Sequence, residues 1–152
     1  MLEKELLQFY NLPDEHAIEL ESGKYTLSAI LNETDDWWET NHDFIQWVFP
    51  TNKPSAFNEN CPIIENDRCL SLINLDTYRL CVARIMLFLM RTKCLEKSSH
   101  NDLRLTRVLE SARLIISNEY ARTIFIQVLK VVLPENRFFN NLSYTFWLKA
   151  VS

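Results

Sequence analysis

The sequence is almost without glycine, since Gly23 is the single glycine among 152 residues. Glycine supplies the positive φ angles of most tight hairpin turns, and ordinary proteins contain about 7% of it. Its scarcity disfavours sheets built from hairpins and the glycine-rich loops that cradle phosphates. We therefore expect an all-α fold, a single compact multi-helix bundle of about six to eight helices.

An excess of positive charge is missing as well. The chain has 16 Lys and Arg residues against 20 Asp and Glu residues, so its formal net charge is −4. A negative field does not attract a phosphate backbone. We therefore expect no nucleic-acid partner.

Cysteines at metal-binding spacing are also lacking. The four cysteines, Cys61, Cys69, Cys81 and Cys94, include no C-x2-C pair and no accompanying histidine cluster. Zinc sites in proteins are built on such spacings. The sequence thus predicts no metal and no other cofactor, and Cys81 is expected to pack as a small apolar side chain.

No long hydrophobic run is present. The longest apolar stretch, Leu80–Met90, is interrupted by Arg84 and is about half as long as the roughly 20 residues of a bilayer span. The segment Met1–Asn11 mixes charged and apolar residues, unlike a signal peptide. We expect no transmembrane segment and a cytoplasmic location.

What the sequence does contain is helical periodicity along most of its length. Gly23 is expected to follow the second helix in the left-handed conformation. A proline-containing loop over residues 51–64 is expected to pack back onto the core. The predicted helices cover Leu2–Tyr10, His16–Leu20, Thr26–Leu31 (helix or turn), Asp36–Phe49, Asn66–Leu72, Asp76–Lys93, a segment capped by Asn101 or Asp102 and broken at Ser117–Asn118, Glu119–Leu133 and Asn141–Val151.

The most specific local feature is Asn41–Pro50, NHDFIQWVFP, which combines one His and one Gln with aromatic and branched apolar residues. As a helix capped by Asp36 and ended by Pro50, it places His42 and Gln46 one turn apart at the edge of a wide apolar face. We therefore predict an interior helix that carries two polar side chains.

With the downstream SAFN and CP, the block HNDLRLTRVL and a closing S-x-x-x-W element, this run resembles the conserved domain of the opioid growth factor receptor family. The likeness covers about residues 36–150, which leaves 1–35 as an N-terminal helical extension within a single domain, 1–152. Where the family pattern has glycines after two helices, this chain has Met90 and Ile116–Asn118. We therefore expect Asn118 to adopt a left-handed conformation.

The resemblance implies a non-enzymatic, receptor-like domain that binds a peptide or protein. The vertebrate member that names the family is a receptor for met-enkephalin and is associated with the nucleus. By this analogy alone, opioid growth factor receptor activity and a nuclear or membrane-associated location are implied. A shared fold does not fix a ligand, so the peptide that this chain binds is left open.

Two groups of residues are candidate ligand-binding sites. His42, Gln46, Trp47 and Asn58 border a groove between the signature helix and the proline loop. Their polar groups can bind a peptide, and alternatively His42 and Gln46 satisfy buried carbonyls of the loop. The second group lies at the start of the helix that Asn101 or Asp102 caps. Its side chains can bind an anion there, and alternatively they form ion pairs within the fold. It consists of His100, Asn101, Arg104 and Arg107.

Two other functions compete with peptide binding. His42, His100, Arg104 and Arg107 around one cleft would make a small anion-binding protein or an enzyme, although no nucleophile elbow or H-E-x-x-H motif is present. A scaffold acting through oligomer contacts would use the N-terminal helix.

Arg84 is predicted to lie among Leu80, Leu87 and Phe88 on its helix. A guanidinium in apolar surroundings requires a carboxylate partner or water. Asp36, Glu39 and Asp43 are the candidate partners.

Overall fold

The computed structural model describes residues 2–55, 58–94, 99–132 and 141–152, without the side chains of 131–132 and 141–145. Helices dominate this part of the chain, and a small two-stranded sheet accompanies them. The prediction of an all-α fold is therefore confirmed only as a mostly helical architecture. The chain divides into two compact units, Met1–Ile85 and Met86–Ser152, and the predicted domain limits stay a prediction.

The N-terminal unit contains most of the short elements. Its first helix, α1 (Leu2–Asn11), buries Leu6 and Phe9 inside the unit, so these two residues are not exposed for the oligomer contact considered for this helix. The elements are α1 (Leu2–Asn11), β1 (Ala17–Leu20), β2 (Gly23–Thr26), α2 (Leu27–Leu31), α3 (Asp35–Thr40), α4 (Ile45–Val48), α5 (Asp67–Leu72) and the first part of α6 (Leu75–Arg91).

A hairpin stands where the sequence predicted a helix over His16–Leu20. Strands β1 and β2 are antiparallel, with Ile18 opposite Tyr25 and Leu20 opposite Gly23. Gly23 has a φ of +140°, which L side chains rarely adopt. The one glycine therefore serves a strand turn and not a helix end, and the prediction of a bundle lacking sheet was wrong.

The signature run, Asn41–Pro50, is buried from Phe44 onward, but it does not form one continuous helix. Helix α3 begins after Thr34, whose hydroxyl accepts the Trp37 N–H at 3.1 Å, so Thr34 and not Asp36 is the N-cap. The backbone becomes extended at Asn41, and α4 then forms a single short turn. Phe44 to Phe49 are all buried.

Aromatic side chains fill the interior around this run. The Tyr10 hydroxyl donates to the Val48 carbonyl, and Phe9 meets Trp47 edge-to-face with ring centroids 6.0 Å apart. Trp38 packs on Phe44 at 4.9 Å. These contacts fix α1 and α4 against each other and thereby set the position of Trp47.

The C-terminal unit contains the last part of α6, α7 (Asn101–Ile115), α8 (Asn118–Val132) and α9 (Asn141–Ala150). The Trp147 indole N–H donates to the Asp102 carbonyl at 3.1 Å and ties α9 to α7. Asn118 begins α8, so its predicted left-handed conformation is wrong. Lys93, just after α6, is the non-glycine residue with a positive φ angle, 55°, in the part of the chain that the structure describes.

Some predictions fall outside the described residues. These are Ala56 and Phe57 of the SAFN motif and the predicted end of α8 at Leu133–Pro134. Within the part of the chain that the structure covers, no helix has the length and apolar content needed to cross a membrane.

Candidate functional site

The N-terminal unit has a solvent-reached concavity of about 300 Å³ at the signature run. One wall is the hairpin, and the other is formed by the chain before and within α4 and by the loop that follows. It is lined by Glu19, Leu20, Glu21, Asp43, Trp47, Asn58 and Asn60. We call this set the acidic concavity.

Hydrogen bonds from both sides hold Asp43 at the centre of these walls. The Glu21 N–H donates to Asp43 Oδ2 at 2.8 Å, which joins the hairpin turn to the segment before α4. From the loop, Asn58 Nδ2 donates to the Asp43 carbonyl at 3.2 Å and lies 3.5 Å from Gln46 Oε1. Asn58 Oδ1 in turn accepts the Asn60 N–H at 3.2 Å. The loop is therefore fixed to the signature run.

Three carboxylates, those of Glu19, Glu21 and Asp43, line the concavity. Lys24 lies opposite Glu19 in the hairpin register. Among the described residues, however, the ion pairs join Arg79 to Asp76 and Arg84 to Asp35, and none involves these three carboxylates. Nor do the described His, Cys, Asp and Glu side chains form a group of three that could hold a metal ion. Lys24 is thus a neighbour of Glu19, but no cation of the described chain lies within ion-pair distance of the three carboxylates.

Trp47 forms the apolar part of the lining together with Leu20. Its side chain is 7% exposed, and its ring is held by Phe9. No hydrogen bond of its indole N–H occurs within the described part of the chain. A buried indole usually finds a hydrogen-bond partner, so this wall has a donor to offer as well as an aromatic surface.

Of the predicted site residues, Trp47 and Asn58 line the acidic concavity. Gln46 is 5% exposed and lies beside it, with its Oε1 3.5 Å from Asn58 Nδ2. His42 differs, because it precedes the short α4 and is exposed. The prediction of His42 as a buried residue one helical turn from Gln46 was therefore wrong.

The second predicted group lies in the C-terminal unit. His100 is exposed, Asn101 and Arg104 are buried, and Arg107 is half-buried. None of them lines the acidic concavity or the larger, apolar concavity of about 490 Å³ in this unit. That second concavity lies between α8 and α9, where Arg122 Nε donates to the Val151 carbonyl at 3.0 Å.

Sequence reasoning missed Glu19, Glu21, Asp43 and Asn60 as site residues. Glu19 belongs to the strand pattern Ala17–Leu20, in which exposed and buried residues alternate. Such alternation has the two-residue period of a strand, so this pattern could have indicated the hairpin. It was overlooked because the segment is only four residues long and was assigned to a helix.

Arg84 has the carboxylate partner that burial requires. Its Nη2 lies 3.0 Å from Asp35 Oδ1, so the partner is neither Asp36, Glu39 nor Asp43. The expected apolar surroundings are only partly present, since Phe88 is buried while Leu80 and Leu87 are exposed.

No family model, no curated protein and no solved structure matches this chain. The likeness to the opioid growth factor receptor family thus stays a resemblance of the motifs quoted above.

Proposed function

We propose that this chain is a non-enzymatic peptide-binding domain of the opioid growth factor receptor type, and that the acidic concavity is its peptide site. The observation that carries the proposal is the position of the signature run: Asp43 and Trp47 form one wall, and Asn58 of the SAFN motif stands beside them. Two of the motifs that prompted the resemblance, the signature run and SAFN, therefore border one solvent-reached depression.

Several features support binding in preference to catalysis. Trp47 is held by its aromatic neighbour and Asp43 by two hydrogen bonds, so the surface is preorganised for a partner. A base paired with a nucleophile, the usual core of a covalent enzyme site, is not found among the residues of this lining. We place the protein in the cytoplasm, with nuclear association as the family likeness implies.

The test is a titration of the ¹⁵N-labelled full chain with met-enkephalin and, separately, with a peptide of scrambled sequence. We expect amide shifts at Glu19–Glu21 and at residues 43–60. Asn60→Ala removes a lining amide and should weaken binding. Asn52→Ala removes an exposed amide of the same loop outside the lining and should not. An absence of shifts in these segments with either peptide at millimolar concentration contradicts the proposal.

A second function, anion binding or an enzyme built on His100, Asn101, Arg104 and Arg107, has one observation in its favour. The unit Met86–Ser152 has ten Lys and Arg residues against five Asp and Glu residues, a formal charge of +5. Titration with inorganic phosphate, followed at the amides of 100–107, tests it. Shifts that saturate and disappear in Arg107→Gln favour this function.

A further inference from the structure

The formal charge of the chain is divided very unequally between its two units. Met1–Ile85 has 15 Asp and Glu residues against six Lys and Arg residues, a formal charge of −9, whereas the rest of the chain carries +5. These values add to the net −4 of the whole sequence. The acidic concavity belongs to the strongly negative unit, whose field raises the local concentration of cations.

The side chains that line the acidic concavity are themselves suited to a cation. Glu19, Glu21 and Asp43 supply carboxylate oxygens, and the ion pairs of the described residues do not engage them. The side chains of Asn58 and Asn60 add amide oxygens. Trp47, nine-tenths buried and without a hydrogen bond among the described residues, adds an indole N–H, which can donate to a carbonyl of the same peptide but not to an ammonium group.

We infer that the acidic concavity binds an alkylammonium group of the peptide, supplied by a free amino terminus or by a lysine side chain. The inference rests on the proposed function, since it names the chemical group that the peptide site recognises. An ammonium group is compact and has three donors that point in different directions. Such a group suits a depression of about 300 Å³ with acceptors on both walls, whereas the planar fork of arginine suits one carboxylate.

The experiment uses four tetrapeptide amides that differ only in their amines, titrated into the ¹⁵N-labelled full chain. The first has a free amino terminus and no lysine, and the second is acetylated and contains one lysine. The third is acetylated without lysine, and the fourth has both amines. We expect the first, second or both to shift the amides of Glu21, Asp43 and Trp47, and we expect the third to bind at least about tenfold more weakly. The first two peptides distinguish the two sources of the ammonium group.

Substitutions provide the matched control. Glu21→Gln and Asp43→Asn remove one charge each, and asparagine keeps an oxygen that can accept the Glu21 N–H. Each should weaken the amine-bearing peptide about three- to fivefold. Glu15→Gln removes the same charge from an exposed residue outside the lining and should change the affinity by less than about twofold.

The outcomes separate this inference from the proposed function. Equal binding of the acetylated peptide without lysine, with shifts at the concavity, overturns the ammonium site and leaves peptide binding standing. A failure of all four peptides and of met-enkephalin to shift these amides overturns both. If Glu15→Gln weakens binding as much as Glu21→Gln does, the ammonium site is also overturned. Such a result would show that the net charge of the unit, and not the lining of the concavity, determines the affinity.

Discussion

Arg84 of α6 joins its helix to α2, to α3 and to the turn between them. Its Nε donates to the Leu31 carbonyl at 3.1 Å and its Nη2 to the Glu33 carbonyl at 2.8 Å. The guanidinium also lies 4.7 Å from the ring centroid of Trp38. It thereby satisfies carbonyls at the end of α2, which would otherwise lack partners, and pairs with Asp35 at the start of α3.

We predict that Arg84→Gln lowers the free energy of unfolding by about 2–4 kcal/mol, because it removes the charge partner of Asp35 and the donor to two carbonyls. Urea titration followed by tryptophan fluorescence measures this loss. Arg79→Gln is the control on the same helix: its ion pair with Asp76 is 3.4 Å long and its side chain is 51% exposed, so the change should stay within about 0.5 kcal/mol. Equal losses in the two variants would contradict a specific role for Arg84.

Cys81 and Tyr10 form a fully buried pair, with the hydroxyl 3.7 Å from the sulfur. Burial raises the pKa of Cys81 from 9.0 to about 12, and burial, followed by the charge of Cys81, raises the pKa of Tyr10 well above 10.0. A thiol with so high a pKa is a poor nucleophile. Cys81 thus behaves as the small apolar core residue that the sequence predicted.

The raised pKa of Cys81 makes the stability depend on pH. Below pH 9 the thiol is protonated in the folded and unfolded chains, so its contribution is constant. Between pH 9 and about 12 the unfolded chain loses this proton and the folded chain keeps it. The free energy of unfolding should therefore fall by up to about 1.4 kcal/mol per pH unit from this group. In Cys81→Ala the decline should be shallower, as urea midpoints at several pH values above 9 will measure. Parallel declines would show that other groups cause the loss.

At the scale of elements, the sequence predicted the long helices and the two short helices α2 and α5 well. Helices α1, α6, α7, α8 and α9 begin and end within a few residues of their predicted limits, apart from the undescribed end of α8. The break at Asn41–Phe44 and the hairpin were missed. A segment of four to six residues offers too few repeats to distinguish a period of 3.6 from a period of 2, and tertiary packing then decides.

The end of α6 illustrates a departure from the resembled family pattern. That pattern has a glycine near this helix end, whereas this chain adopts a positive φ of 55° at Lys93, two residues after the helix ends. Glycine carries no penalty in this conformation, but a side chain with a Cβ atom does. The chain after α6 therefore adopts the left-handed conformation that glycine usually takes at a helix end. Here a lysine, Lys93, adopts it, although this conformation is unfavourable for a residue with a Cβ atom.

We predict that Lys93→Gly stabilises the protein by about 0.5–1 kcal/mol, because it removes the left-handed strain of a Cβ atom. Lys93→Ala keeps the Cβ atom and should not stabilise, which makes it the matched control for the loss of the lysine charge. Thermal unfolding of the three proteins at one pH provides the comparison. A destabilised Lys93→Gly variant would mean that the flexibility of glycine in the unfolded chain outweighs the relief of strain.

At the scale of the whole molecule, the sequence drew attention to the signature run and its loop but not to the hairpin that forms the other wall of the acidic concavity. The clustering of Trp47, Gln46 and Asn58 followed from the signature run and its loop. The carboxylates of Glu19 and Glu21 could not be placed there, because they enter through the missed hairpin. The total charge of −4 also concealed the charge difference between the units, which depends on where the chain divides.

This charge distribution predicts a salt dependence for the binding of an amine-bearing peptide. The Debye length falls from about 30 Å at 0.01 M salt to about 8 Å at 0.15 M, so salt screens the field of the −9 unit more than short contacts within the concavity. We expect the affinity of the peptide with a free amino terminus to fall severalfold over this range, mainly through a slower association rate. The double variant Glu21→Gln/Asp43→Asn should bind more weakly at both salt concentrations and show a smaller salt dependence. Stopped-flow tryptophan fluorescence of the full chain measures the association and dissociation rates. An association rate independent of salt would contradict electrostatic attraction by this unit.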